Sequence, residues 1–157
     1  MKMAIASTRA GLALKDELLT FLKGLGHEVD DLGMKAGGEF VPYYESAARV
    51  AEAVSRGDYP RAVIVCGTGA GSAIVANKFK HVYAVQASSE YEARRAAIIN
   101  GANVLTLGEW LTPPEHAKDI VDAWLGAEFG QGFAPDWQAF LRNGCEEIRK
   151  MEDRNFK

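Results

Sequence analysis

The sequence predicts an α/β protein: a three-layer sandwich with helices on both faces of a five-stranded, mostly parallel sheet. Short apolar, β-branched runs alternate five times with segments of helical period, joined by short links, which is the pattern of strand–helix–strand units. The most apolar run, Ala62-Val63-Ile64-Val65, reads as a strand buried on both faces. It continues through Cys66 into glycines at 67, 69 and 71 and then a helix-compatible segment. At 157 residues the chain is read as one domain, 1–157, with a single substantial core.

In chain order, 2–7 reads as the first strand and Thr8-Arg9-Ala10-Gly11 as the turn at its carboxyl end. A helix is expected over 12–25, because Leu14, Leu18, Leu19, Leu22 and Leu25 recur at helical spacing, and Gly26 stops it. Residues 28–32 form a short second strand, and 33–42, with three glycines, an irregular loop. The second helix runs over 43–56 on Ala47, Ala48, Val50, Ala51 and Val54. After the central strand and a third helix at 72–78, a fourth strand is expected at 81–85. Ser88 or Ser89 caps a helix over 90–99, which Asn100-Gly101 closes. A fifth strand lies at 103–107. Pro113 and Pro114 open a helix over 115–125, and a last helix covers about 136–152.

Composition narrows the function classes. Apolar residues are 48% and charged residues 25% of the chain, as in ordinary soluble domains. A net charge of −3 offers no basic patch for nucleic acid. No apolar run approaches the ~20 residues that span a bilayer, and no leader is expected before the first strand. A cytoplasmic protein with no nucleic-acid or membrane partner is expected. Cys66 and Cys145 are far apart and His27, His81 and His116 are scattered, so neither a metal site nor a cofactor is expected.

In open α/β sheets ligands bind at the carboxyl ends of the strands. Cys66 is placed there, beside Thr68 and the backbone N–H groups of residues 67–72, which makes the stretch a candidate active site. Position alone favours a buried core cysteine, and a glycine loop alone can simply turn a strand into a helix. Arg9 reads as a surface cation or a ligand, and Asn100 as a helix cap or a substrate contact. A nucleotide-binding reading is weaker, since Gly67, Gly69 and Gly71 lack the rest of the dinucleotide fingerprint.

Cys66-Gly67-Thr68-Gly69-Ala70-Gly71, Ala76-Asn77-Lys78, and Asn100 with Asn103-Val104-Leu105 resemble the ribose-5-phosphate isomerase B family, which includes the subunits of galactose-6-phosphate isomerase. The likeness runs from Lys2 to about Phe129. It implies a Rossmann-like sheet and an aldose–ketose isomerase in which Cys66 moves a proton through a cis-enediol(ate), assisted by Thr68. It further implies substrate contacts at Thr8, Arg9, Gly67, Gly69, Gly71, Ser72 and Asn100, on a sugar or sugar phosphate. A homodimer or tetramer with shared sites follows from the same resemblance, with the last helix packing on a partner subunit and Ile99-Asn100 facing the partner's Cys66.

The departures bear on substrate. Family members usually carry Asp-His where this chain has Thr8-Arg9, and a ring-opening His-Asn where it has Ile99-Asn100. The family's phosphate arginines fall on Gly108-Glu109-Trp110 and on the stretch ending at Trp137, and its tyrosine before the proline on Val41. The resemblance therefore implies an open-chain or otherwise non-standard substrate, such as a tetrose or a ketose. The alternative is a catalytically silent member that binds a sugar or complements another subunit.

Overall fold

Five strands pair in the order β2-β1-β3-β5-β4, and every pairing is parallel. They are β1 (Lys2–Ser7), β2 (Glu28–Asp31), β3 (Arg61–Cys66), β4 (Ala84–Gln86) and β5 (Val104–Gly108). The structure, a computed structural model, describes residues 1–156. Helices α1 (Leu12–Gly24), α4 (Glu90–Asn100) and α5 (Pro114–Leu125) cover one face of the sheet, and α2 (Tyr43–Ser55) and α3 (Ala70–Ala76) the other. Among the described residues no helix is long and apolar enough to cross a membrane.

The two-residue period of the strands decides which side chain goes to which layer. Met3, Ile5, Val63, Val65, Leu105 and Leu107 pack under α1, α4 and α5, against Leu14, Leu18, Leu22, Ala97, Ile120 and Trp124. Ala4, Ala6, Ala62 and Ile64 point the other way, toward Ala47, Val50, Ala51 and Val54 of α2. Small side chains on this second face let α2 and α3 lie close to the sheet.

The fourth strand is shorter and later than the sequence predicts: Ala84–Gln86 in place of 81–85. His81 takes a left-handed backbone (φ 64°), which ends any strand through it. Two asparagine side chains then replace strand partners. Asn77 accepts from the Ala84 N–H and donates to the Ala84 carbonyl, both at 2.8 Å. Asn103 accepts from the Tyr83 N–H at 2.8 Å and donates to the His81 carbonyl at 2.7 Å. Of the two candidate caps for α4, Ser89 fills the role, accepting from the Glu92 N–H at 3.2 Å. The last helix, α6 (Pro135–Asn155), is longer than expected and stands largely off the body, with Glu152 its buried residue.

Sequence periodicity gives no hint of one buried ion pair. Lys15 Nζ lies 2.6 Å from Asp31 Oδ2, with the lysine side chain 1% exposed. Burial alone raises the Asp31 carboxyl. Hydrogen bonds from Lys15, Lys35 and the Gly33 N–H outweigh it and hold the group below its ordinary value of 3.8. A depressed value means stabilisation that is full above that ordinary value and lost as pH falls through the lower, folded-state one. Thermal unfolding followed from about pH 7 down to about pH 3 is expected to show this acid limb, and Asp31→Asn to flatten it. An equally steep limb in the variant would assign the acid sensitivity to other carboxylates.

Candidate active site

The strand order reverses direction between β1 and β3, so the carboxyl ends of these two strands flank the crevice where open α/β sheets hold ligands. Ser7 and Val65 are register partners. The next residues on each side are Thr8-Arg9 and Cys66-Gly67, which places two of the sequence-predicted groups side by side.

Cys66 is the last residue of β3 and is 5% exposed. Its Sγ accepts from the Gly69 N–H at 3.1 Å, which fixes the sulfur against the loop. Gly69 has φ 83°, and a Cβ there would also lie 2.9 Å from Gln86 Cγ and 3.0 Å from the Leu107 backbone. Only glycine lets the chain turn here. The Thr68 hydroxyl is exposed and accepts a long bond, 3.4 Å, from the Ala70 N–H. Among the described residues the N–H groups of Gly71 and Ser72, in the first turn of α3, have no acceptor. The buried Ser72 hydroxyl has no partner either. Donors left open beside a thiol are suited to an oxyanion.

Opposite lies a cleft of about 720 Å³ whose lining includes Thr8, Arg9, Phe40, Tyr43, Tyr44, Glu109 and Trp110. Two of its aromatics touch the glycine loop. The Trp110 indole lies where a Cβ on Gly67 would come within 2.8 Å, and the Tyr43 ring within 2.9 Å of one on Gly71. Trp110 and the loop are also joined by the backbone, with the Glu109 and Trp110 N–H groups donating to the Cys66 and Gly67 carbonyls at 2.9 and 3.0 Å. Arg9 has no carboxylate partner among the described residues; its guanidinium lies over the Phe40 ring, 5.6 Å from the centroid. Glu109 is already committed, accepting from the Leu14 N–H at the start of α1 at 2.9 Å. The Thr8 hydroxyl is committed too, donating to the Val41 carbonyl at 2.8 Å.

Thr8, Arg9, Cys66, Gly67, Thr68, Gly69, Gly71 and Ser72 therefore converge. Asn100 does not join them within one chain. It ends α4 at the amino-terminal end of the sheet, at a separate cavity of about 390 Å³ with Tyr83, Phe129, Arg142 and Cys145. Phe133 and Trp137 also lie apart from the cleft, their ring centroids 6.4 Å apart, and on α6 Trp137 meets Phe140 edge-to-face at 5.6 Å. His116 also lies apart from the cleft, with Nε2 3.0 Å from Glu90 Oε2. Sequence reasoning missed Phe40, Tyr43 and Tyr44 as cleft walls; their closeness to Pro42, after a glycine-rich loop, was the available signal. No group of three or more His, Cys, Asp or Glu side chains able to hold a metal occurs among the described residues.

Residues 3–136 match the family model described as ribose/galactose isomerase. The chain is 35% identical to the 4-deoxy-4-sulfo-D-erythrose isomerase of Clostridium sp. strain MSTE9, over 98% of this chain and 96% of that one. It is 39% identical to the D-erythrulose-4-phosphate isomerase of Pectobacterium atrosepticum, over 86% and 90%. Among solved structures, ribose-5-phosphate isomerase B of Clostridium thermocellum superposes with a TM-score of 0.88 at 39% identity, covering 98% of this chain and 99% of that one. A parallel sheet in this order, with a cysteine and glycine loop at its switch point and a family match over most of its length, makes this chain a member of the ribose/galactose isomerase family.

Proposed function

We propose that the protein is an aldose–ketose isomerase acting on a short, open-chain sugar with an anionic terminus. The observation that carries the chemistry is the thiol of Cys66, set at the end of β3 beside the open N–H groups of Gly71 and Ser72. As its thiolate, Cys66 takes the proton from the carbon next to the carbonyl. The C–H electron pair becomes the C=C bond of an enediolate, and negative charge moves to the carbonyl oxygen, where the loop amides meet it. Cys66 returns the proton to the neighbouring carbon, and the hydroxyl proton passes between the two oxygens. Atoms and electrons balance with no external oxidant or reductant.

Two features support the substrate class. Ile99, half-buried against the core, has no proton to give for opening a sugar ring. A four-carbon sugar whose terminal carbon bears a sulfonate or phosphate has no free hydroxyl with which to close a five-membered ring. It needs no such acid, and two relatives are named for sugars of this kind. Arg9 is the cation of the cleft and a planar guanidinium is a competent anion ligand. Purified protein is expected to turn over 4-deoxy-4-sulfo-erythrose or erythrulose 4-phosphate with kcat/KM about 100-fold above that for ribose 5-phosphate. Preference for ribose 5-phosphate would sink the open-chain reading. Arg9→Ala is expected to raise KM about 30-fold, equivalent to about 2 kcal/mol for a charged hydrogen bond, with kcat little changed. An unchanged KM removes Arg9 from the site.

The assembly follows the same reading. Trp137, Phe140, Ile148 and Met151 leave α6 with an exposed apolar stripe, and Asn100 lies at the opposite end of the sheet from Cys66. A second copy that covers the stripe and brings its own Asn100 to this glycine loop meets both conditions. Ile99 also favours a second reading, a subunit that binds sugar and is completed by a different chain. Ligand-dependent thermal stabilisation without turnover by the purified protein would select it.

A further inference from the structure

One charge cluster beside the cleft has no part in the proposed chemistry. Lys15 is the lysine or arginine found buried among the described residues. Its ammonium donates to Asp31 Oδ2 at 2.6 Å and to the Met34 carbonyl at 2.7 Å, and Asp16 Oδ1 lies 3.1 Å away. The other Asp31 oxygen accepts from the Gly33 N–H at 3.0 Å, and Lys35 closes on the same carboxylate at 2.8 Å. The Met34 N–H donates to the Ser7 carbonyl at 2.9 Å. Gly33 lies so close to β1 that a Cβ on it would be 2.3 Å from the Ser7 nitrogen.

The root of the 32–42 segment is thus clamped onto the last residue of β1, directly before Thr8 and Arg9. Its far end is clamped by the bond from Thr8 to the Val41 carbonyl. Between the clamps the segment carries Phe40 onto the Arg9 guanidinium, and beyond them it delivers Tyr43 to Gly71. A buried ammonium is tolerated only when its protons are satisfied, and a carboxylate and a loop carbonyl both meet this one only when the loop root is correctly placed. For stability alone, an apolar side chain of similar length serves as well as a buried pair, or better.

We propose that Lys15, acting through Asp31 and Met34, is a positioning residue of the active site: it holds the 32–42 segment so that Phe40, Arg9 and Tyr43 stand correctly against the Cys66 loop. The consequence for turnover rests on the isomerase reading; the consequence for the segment does not.

Two measurements on the full chain test this with Lys15→Met, which preserves side-chain length. In hydrogen–deuterium exchange the bonded amides of the segment, Met34 and Gly38, are expected to exchange about tenfold faster, while β3 and β5 keep the parent's protection. In kinetics on the four-carbon substrate KM is expected to rise about tenfold, with kcat within about threefold of the parent. Leu18→Ala, from the same helix and equally buried, is the control: it lowers the melting temperature and leaves segment exchange and KM unchanged. Should Lys15→Met not fold, Asp31→Asn carries the same two measurements. Unchanged segment exchange, faster exchange with unchanged KM, or equal effects from Leu18→Ala each overturn the proposal. If the parent turns over no aldose–ketose pair, the isomerase reading falls, and segment exchange alone decides whether Lys15 positions the loop.

Discussion

Cys66→Ala is expected to lower isomerisation, and exchange of the transferred proton with solvent, by about 1,000-fold or more while leaving the fold intact. General-base catalysis contributes about 10²–10⁴-fold, and the variant lacks the thiol proposed as that base. The fold is expected to survive because alanine is smaller than cysteine and fits β3 without strain. What is lost is one acceptor for the Gly69 N–H, a bond to sulfur at 3.1 Å. The loop itself is held by other means: the Glu109 and Trp110 bonds to the carbonyls of Cys66 and Gly67, and the tight fit of Gly108 against Thr68, where a Cβ would come within 2.6 Å of backbone. Near-parent exchange of the substrate's C2 proton in a folded Cys66→Ala protein would show that another group is the base. Retained ligand binding by the inactive variant would separate chemistry from recognition.

Trp124→Ala is expected to have the largest effect on stability, a loss of about 3–5 kcal/mol. The indole is fully buried under the sheet, and its Nε1–H donates to the Ala102 carbonyl at 3.1 Å, just before β5. Arg61, the first residue of β3, lies over the ring at 4.9 Å and donates to the Trp124 and Ala127 carbonyls at 2.7 and 2.9 Å. Truncation leaves a large cavity and removes one face from a half-buried cation, at the end of the sheet remote from the cleft. For a chain of this size the melting temperature should fall by about 10 °C or more. Trp110→Ala provides the contrast: that indole is 72% exposed, and its loss should change stability by only about 0.5 kcal/mol. Similar melting temperatures for the two variants would show that the α5 face is not the keystone of the core.

The layers were legible in the sequence because each local signal agreed with the global fold. Leucines at helical spacing in α1, alternating alanine and large residues in β1, and prolines at the start of α5 all point the same way. The fourth strand failed that test for a specific reason. Val82 and Tyr83 look like strand residues, yet His81 is left-handed and the side-chain amide of Asn103 takes the Tyr83 N–H and the His81 carbonyl. Side-chain competition for backbone groups leaves no periodic trace.

The site divides in the same way. Cys66 and its glycines are contiguous in sequence; Gly69 is demanded locally by its positive φ, whereas Gly67 and Gly71 are demanded by Trp110 and Tyr43, distant in the chain. Arg9 was legible as a strand-end residue. Phe40, Tyr43 and Tyr44 carry no periodic mark as cleft walls, nor Lys15 as a buried cation. Their roles come from contacts across long sequence separations, such as Tyr43 to Gly71.

By itself, then, the sequence determined the alternation of strands and helices, the placement of a thiol and open amides at a strand end, and the family to which that arrangement belongs. These properties are set by residues adjacent in the chain. Tertiary structure decided the rest: that Arg9 and Trp110 face one cleft, that Asn100 lies at the far end of the sheet, and that a buried lysine bonds the root of the loop that carries Phe40 into the cleft. Parallel strands bring together residues that follow different strands, and only the strand order says which of them meet.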